Sequence, residues 1–487
     1  MKTITKSALS FKTKLFYGIG AASGEIYGIT TGSFFLFFLT TTVGLNPTLA
    51  STAFLIGKIW DGINDPLIGW LSDRTTTSAS ALHASPFIRW LSPFITGWGR
   101  RYPWMILGAI PLGIAFFLQW IVPPFSNPSW LFIYYTVVIL VAYTAITAVL
   151  LPYSALAAEI TKSYDERTSL MSFRSFFAVV GLLGSLMLAQ AIFGLFADAQ
   201  QQYLVLGLIE GLLIIGLIYL CIWGTRKQYR QVMQERQTPP QAETLGFFAS
   251  WRTQLGLLWR SRPLQIAALL ILSCGMASNL TISVLPYFIR FVLRLPDHHI
   301  TQALLAVQGF ALLAVFGWNQ VSQWVGKRGL LFLGLPIWLL AHLGLFFVSP
   351  GRVGMLYLCA SAAGTGFATA LLAPWSMLPD IIDLDELNTG KRREGMFYGV
   401  IVQAHKLALA LAIFGVGRLL DISGFVTPED GIDDPLQPTS VLWAIRILIA
   451  IVPVVMLAIA LCLTYIYPLT REVHQEIALK LQTRNES

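Results

Sequence analysis

Two aspartates four residues apart, Asp61 and Asp65, occur in a stretch that otherwise reads as membrane-spanning, "GKIWDGINDPLIGW" (57–70). On a helix, Asp61, Asn64 and Asp65 share one face, with their oxygens stacked within a single turn. Two carboxylates that close in low dielectric repel each other and need a proton or a cation between them. Such oxygen donors suit Na⁺, Li⁺ or H⁺, and the sequence offers no His/Cys cluster for a transition metal. Lys58, three residues before Asp61, lies on the same side as a candidate coupling charge. A second reading stays open at this point: the acids form structural salt bridges with lysines, or cap a helix break at Pro66.

Glu25 is another acid inside an apolar segment. Gly20, Gly24, Gly28 and Gly32 recur every four residues around it, a smooth stripe suited to close helix packing. Glu25 stands about 100° around the helix from Gly24, beside that seam. It could accept hydrogen bonds from a polyol, pair with a cation, or make a structural ion pair with another helix. Glu210, Asn279, Gln308, Asn319 and His342 are single polar residues within spans and read as helix–helix contacts. Asn279 heads an Asn-Leu-Thr sequon, but mid-span it is out of reach of glycosylation.

The elements that must position these residues follow from composition. Of 487 residues, 55% are hydrophobic and only 12% charged, where soluble domains carry roughly 25%. The chain reads as an all-α polytopic membrane protein. Twelve apolar segments are long enough to cross a bilayer, near 15–43, 49–72, 103–122, 130–158, 171–197, 203–225, 264–293, 300–325, 329–349, 353–382, 395–420 and 438–467. Their continuous apolar runs lack the alternation of barrel strands. The basic N-terminus leads into a helix too long for a signal peptide. Cys221, Cys274, Cys359 and Cys462 are scattered singly, which suits packing and neither a disulfide framework nor a metal site.

Charge orients the chain. Of the 33 Lys and Arg residues, 26 fall in the connections that share a side with the N-terminus. This is the positive-inside pattern, with both termini cytoplasmic, in a cell (inner) membrane. The net charge of +8 is thereby explained by topology, and nucleic acid is not an expected partner. The expected organisation is a first six-helix bundle with the cation site (1–225), a cytoplasmic central loop (226–262), a second bundle (263–468) and a cytoplasmic tail (469–487). Within the loop, "WRTQLGLLWRS" reads as an amphipathic segment on the membrane surface. Residues 75–97, apolar in their second half, suggest a short interfacial helix. An internal echo supports a 6+6 plan: "DPLIGWLSDRT…GRRYPWMILG" after the second span is similar to "VSQWVGKRGLLFLG" after the eighth. Two parallel six-helix halves with a site between them at mid-depth describe the major facilitator fold.

Several blocks carry a closer likeness. "KIWDGINDPLIGWLSDRT" with "GRRYPW", "FYGIGAASGEIYG" in the first span, "LPYSALAAEITKSYDERTSLMSFRSFFA" (151–178), "PWSMLPDIIDLDELNTGKRREGMFYG" (374–399) and "YPLTREVHQEI" (467–477) stand in order along the chain. Together they resemble the glycoside–pentoside–hexuronide:cation symporter family, to which the bacterial melibiose carrier belongs. The resemblance implies a cation site at Asp61, Asn64, Asp65 and Thr147, with Asp61 and Asp65 balancing the charge of Na⁺, for which Li⁺ or H⁺ can substitute. It implies a coupling role for Lys406, a countercharge once the ion has left, with snorkelling as the alternative. It also places Glu25, Arg174 and Trp375 at substrate positions. Arg174 could hold hydroxyls or an anionic group by bidentate bonds, or serve as a membrane anchor. Trp375 could stack on a ring or simply pack.

Two departures bear on the substrate. Leu150 stands where galactoside carriers of the family have a sugar-binding acid, and Ser154 where they have an aromatic platform. A sugar pocket deprived of a carboxylate acceptor leaves substrate hydroxyls unpaired. Lysophospholipid carriers of animals resemble the same family, and an apolar face at Leu150 would suit such an amphiphile. The expected function is therefore cation-coupled symport of a sugar or glycoside-like solute by alternating access, in a chain that works as a monomer without a cofactor. The alternatives are carriage of an amphiphile or an uncoupled facilitator, which would have no use for a dehydrated cation site. An enzyme would need a nucleophile–base pair, metal cluster or phosphate loop. "GTGFATA" (364–370) lies inside a span and reads as packing.

Overall fold

The computed structural model describes residues 9–74, 98–161, 163–235, 256–390, 393–428, 435–469 and 471–486. The interfacial helix expected over 75–97 lies outside them. So does most of the amphipathic segment expected in the central loop, of which residues 256–260 are described and helical.

Helices α1 (Phe11–Thr30) and α2 (Leu36–Thr41) are joined by a π segment, Thr31–Phe35. There follow α3 (Pro47–Arg74), α4 (Tyr102–Gln119), α5 (Pro128–Ile160), α6 (Tyr164–Leu195) and α7 (Ala199–Glu235). Helix α8 (Arg262–Tyr287) runs into a π segment at Phe288–Val292, and α9 spans His298–Phe346. Then come α10 (Val353–Thr389), α11 (Glu394–Ile422) and α12 (Thr439–Arg446). A π segment, Ile447–Ile451, links α12 to α13 (Val452–Ile466), and α14 (Arg471–Glu486) closes the chain. Helix α9 is two arms broken at Gly326, whose φ of 72° and ψ of 177° only glycine adopts readily. Counting its arms separately, and α1–α2 and α12–α13 as continuous crossings, the described residues supply twelve crossings of an all-helical membrane protein.

The π segment at Ile447–Ile451 has a local cause. Pro453 cannot supply the amide that an α-helix would aim at the Ile449 carbonyl. The His342 ring meets that carbonyl instead, through Nδ1 at 2.7 Å. His342 also contacts the Thr281 hydroxyl at 3.1 Å, so the expected helix–helix role holds for this residue.

Contacts divide the chain into two units, residues 1–31 with 59–247 and residues 32–58 with 248–487. In the first, α1 packs on α6 and α7, and α4 on α5 and α7. In the second, α8 packs on α11 and α13, and the arms of α9 on α10. Residues 32–58 are sewn into that unit by polar bonds. Thr40 and Tyr287 share a 2.7 Å hydroxyl contact, while Asn46 and Thr48 each donate to Asp421 at 2.6 Å.

The glycine stripe of α1 is only half used. A side chain at Gly20 would strike Tyr153 and Cys221, and one at Gly24 would strike Leu150. At Gly28 and Gly32 a side chain would meet nothing within 4 Å. The internal echo has a physical counterpart. Arg100 and Arg101 of the first unit grip Glu159 near the end of α5, at 2.6 and 2.9 Å. Lys327 of the second grips Asp380 of α10 at 2.7 Å. The basic connection of each unit thus ties down an acid two crossings later.

Candidate functional site

Asp61, Asn64 and Asp65 lie on α3, with Asp61 and Asn64 buried and Asp65 half-buried. Thr147 reaches them from α5. Its hydroxyl donates to Asp65 Oδ1 at 2.9 Å and lies 3.4 Å from Asp61 Oδ1. A hydroxyl has one proton and two lone pairs, so donating to one carboxylate leaves oxygen density available to an ion. The Asn64 amide nitrogen approaches the Tyr143 carbonyl at 3.4 Å, which leaves Oδ1 as its remaining acceptor. Three side chains from two helices, two of them carboxylates, therefore bring oxygens to one place, and Asn64 is buried one helical turn from Asp61. Next to them, Trp60 Nε1 donates to Thr144 at 2.9 Å, a second bond between α3 and α5.

Asp61 is 4% exposed and Thr147 5% exposed. Placing anionic oxygens at such depth is costly unless a cation or proton balances them. The donor set is all oxygen, which fits a hard monovalent cation or a proton. Among the described residues no group of three or more His, Cys, Asp and Glu side chains is placed to hold a metal ion.

The expected substrate residues of the first unit also come together. Arg174 of α6 lies over the Tyr153 ring, 5.6 Å from its centroid, and within electrostatic reach of Glu25 on α1. No direct ion pair joins Glu25 and Arg174 among the described residues. Tyr153 stacks on Tyr17 at 4.9 Å and donates its hydroxyl to the Tyr17 carbonyl at 2.8 Å. Leu150 packs against Gly24, next to Glu25 in sequence. Sequence reasoning missed Tyr153 and Tyr17. Tyr153 is one residue before Ser154, so an aromatic ring is present, turned towards α1 and Arg174.

Lys58, Lys406 and Trp375 belong to the second unit. Lys58 is within electrostatic reach of His405, the residue before Lys406 on α11. Trp375 of α10 is half-buried and packs against the apolar core of that unit.

With this geometry in place, likeness to known proteins becomes informative. The profile of the MFS/sugar transport protein family matches residues 16–471. The chain belongs to this family. An uncharacterised symporter of Synechocystis is 35% identical, over 100% of this chain and 99% of its own. YagG of Escherichia coli, named as a candidate glycoside/cation symporter, is 26% identical over 95% of this chain and 93% of its own. The sodium-dependent lysophosphatidylcholine symporter 1-A of Danio rerio is 25% identical over 99% and 90%. Among solved structures, the inward-open xylose transporter XylE of E. coli superposes with a TM-score of 0.58 at 14% identity, over 96% of this chain and 98% of that one. At that identity the match speaks to fold alone. The expected kinship with cation symporters and the major facilitator fold are both borne out, and this family member is a multi-pass membrane transporter.

Proposed function

We propose that the transporter is a Na⁺-coupled symporter of a sugar or glycoside-like solute. The observation that carries this reading is the Thr147 hydroxyl poised on both Asp61 and Asp65, with Asn64 alongside. A cation among these oxygens removes the repulsion between the carboxylates and stiffens the contact between α3 and α5. Coupling follows if the empty and the doubly loaded carrier change conformation, while forms carrying one partner do not. Glu25 and Arg174 are the proposed polar contacts to the solute, with Trp375 a proposed stacking face. Lys58 and Lys406 are the proposed coupling charges. Both termini are proposed to be cytoplasmic.

The test is uptake in proteoliposomes with and without a Na⁺ gradient, on solutes first screened by Na⁺-dependent thermal shift. Asp61→Asn should abolish Na⁺ stimulation, because a neutral amide cannot balance Na⁺, and Asp65→Asn should do the same. Equal stimulation in wild type and Asp61→Asn would leave the pair structural.

A second substrate reading is favoured by one contact. Leu150 fills the space against Gly24 beside Glu25, which puts an apolar side chain where a galactoside would want an acid. A single-chain amphiphile, as in the name of the Danio rerio relative, would tolerate that wall. Lysophosphatidylcholine belongs in the same screen as the glycosides.

A further inference from the structure

A cavity of about 770 Å³ opens in the second unit between residues 256–263 and the last turns of α10. None of the residues assigned above to cation or solute lines it; Trp375 comes nearest in sequence, six positions before the lining residue Ile381 on α10. The charged residues that line it are Arg260, Arg262, Arg393 and Asp385. Arg393 holds Asp385 in a bidentate pair, at 2.6 Å to Oδ1 and 3.0 Å to Oδ2, so that acid is already neutralised. Arg260 and Arg262 have no acidic partner among the described residues, and Asn388 adds an amide to the wall. Among the described residues, then, no carboxylate balances these two guanidinium groups of the cavity.

Its depth says what would balance them. Arg262 opens α8 just before its apolar run at 264, and Ile381, Leu384 and Asp385 stand where the apolar run of α10 ends near 382, so the cavity lies where crossing helices leave the hydrocarbon. Trp259, 79% exposed, stands beside it, and exposed tryptophan at helix ends is typical of the headgroup layer. Guanidinium groups recognise phosphate oxygens by paired hydrogen bonds, and basic pockets at this level receive anionic headgroups. We propose that this cavity is a binding site for a phosphate monoanion or diester, supplied by an anionic phospholipid headgroup or by a free phosphate. Arg260 and Arg262 are its ligands, and the Arg393–Asp385 pair forms a fixed wall.

The test is equilibrium binding to the full-length chain in neutral detergent, with dioctanoyl phosphatidylglycerol, dioctanoyl phosphatidylcholine and inorganic phosphate as probes. Wild type should bind phosphatidylglycerol saturably and well above phosphatidylcholine, whose choline already offsets its phosphate. Arg260→Gln with Arg262→Gln should weaken binding by about 25-fold, roughly fivefold for each charge removed. The corresponding double lysine variant should keep most of it. Both arginines are exposed, so neither change threatens the fold. Phosphatidylglycerol binding that inorganic phosphate fails to displace identifies the lipid as the source. Inorganic phosphate binding as tightly, and lost in the same variant, identifies free phosphate. Unchanged affinity in the double glutamine variant for whichever probe binds, or no preference for phosphatidylglycerol and no phosphate binding, overturns the proposal.

Discussion

One hydroxyl spans both carboxylates of α3: Thr147 Oγ1 stands 2.9 Å from Asp65 and 3.4 Å from Asp61. Thr147→Val keeps the shape of the side chain and removes its oxygen. If the group is a cation ligand, the Na⁺ concentration for half-maximal uptake should rise by about tenfold, the order expected for a lost buried polar contact. Thr147→Ser should restore it. Wild-type Na⁺ dependence in the valine variant would assign the hydroxyl to helix packing alone.

The ion pairs of Glu159 belong to stability. Glu159 is 3% exposed and accepts from both Arg100 and Arg101, and Arg101 also donates to Ser72 of α3 at 2.9 Å. Glu159→Gln removes the buried carboxylate that both guanidinium groups share, and Arg101 is itself buried. Loss of about 3 kcal/mol is expected, read as a lowered thermal transition in detergent. Asp380→Asn in the second unit should cost less, because the Lys327 side chain it pairs with is 39% exposed and can rehydrate.

Substrate choice gives a third expectation. With Leu150 packed on Gly24 and Ser154 hydrogen-bonded to its own helix, neither offers a galactoside the groups that the family's galactoside carriers use. The unmodified chain should show no robust melibiose uptake. Substantial uptake would mean that Tyr153 and Arg174 compensate for both departures.

Topology is tested by accessibility. Tags at either terminus or in the 226–262 connection should react only from the cytoplasmic side, and a tag at 427–437 only from the other. A cytoplasmic tag at 427–437 would break the alternation on which the orientation rests.

Much of the fold was legible because hydropathy alone locates apolar crossings. Lys327 and Arg328 separated the eighth and ninth spans correctly, although the backbone stays helical on both sides of Gly326. Helix ends were less legible. Helix α7 runs on to Glu235 and α10 to Thr389, beyond the apolar runs, since Arg, Lys, Gln and Glu continue a helix in water as readily as apolar residues do in lipid. The π segment at Ile447–Ile451 depends on Pro453 and the His342 contact, and no sequence period announces it. At the site, the one-turn spacing of Asp61, Asn64 and Asp65 is a local property and could be read directly. Thr147 entered only through family resemblance, because its meeting with Asp65 is a contact between helices. Tyr153 and Tyr17 carried no signal at all, since an aromatic residue in an apolar span does not reveal which neighbour it faces.

Substitution of the arginine above Tyr153 tests the proposed solute contact apart from the ion site. Arg174 is held over that ring at 5.6 Å, and the ring is fixed by stacking on Tyr17 and by its bond to the Tyr17 carbonyl. A planar guanidinium so placed can offer two parallel donors to vicinal hydroxyls or to an anionic group, which an ammonium cannot. Arg174→Lys keeps the charge and any anchoring role at the membrane surface, yet loses the fork. The expected result is a KM for solute raised by about tenfold, the worth of one charge-assisted hydrogen bond, with the Na⁺ dependence unchanged. Tyr153→Phe keeps the ring under Arg174 and should change KM little. If Arg174→Lys behaves as wild type in KM, Arg174 is a membrane anchor. If it shifts the Na⁺ dependence instead, the residue acts on the carboxylate pair, and its place among the solute contacts falls.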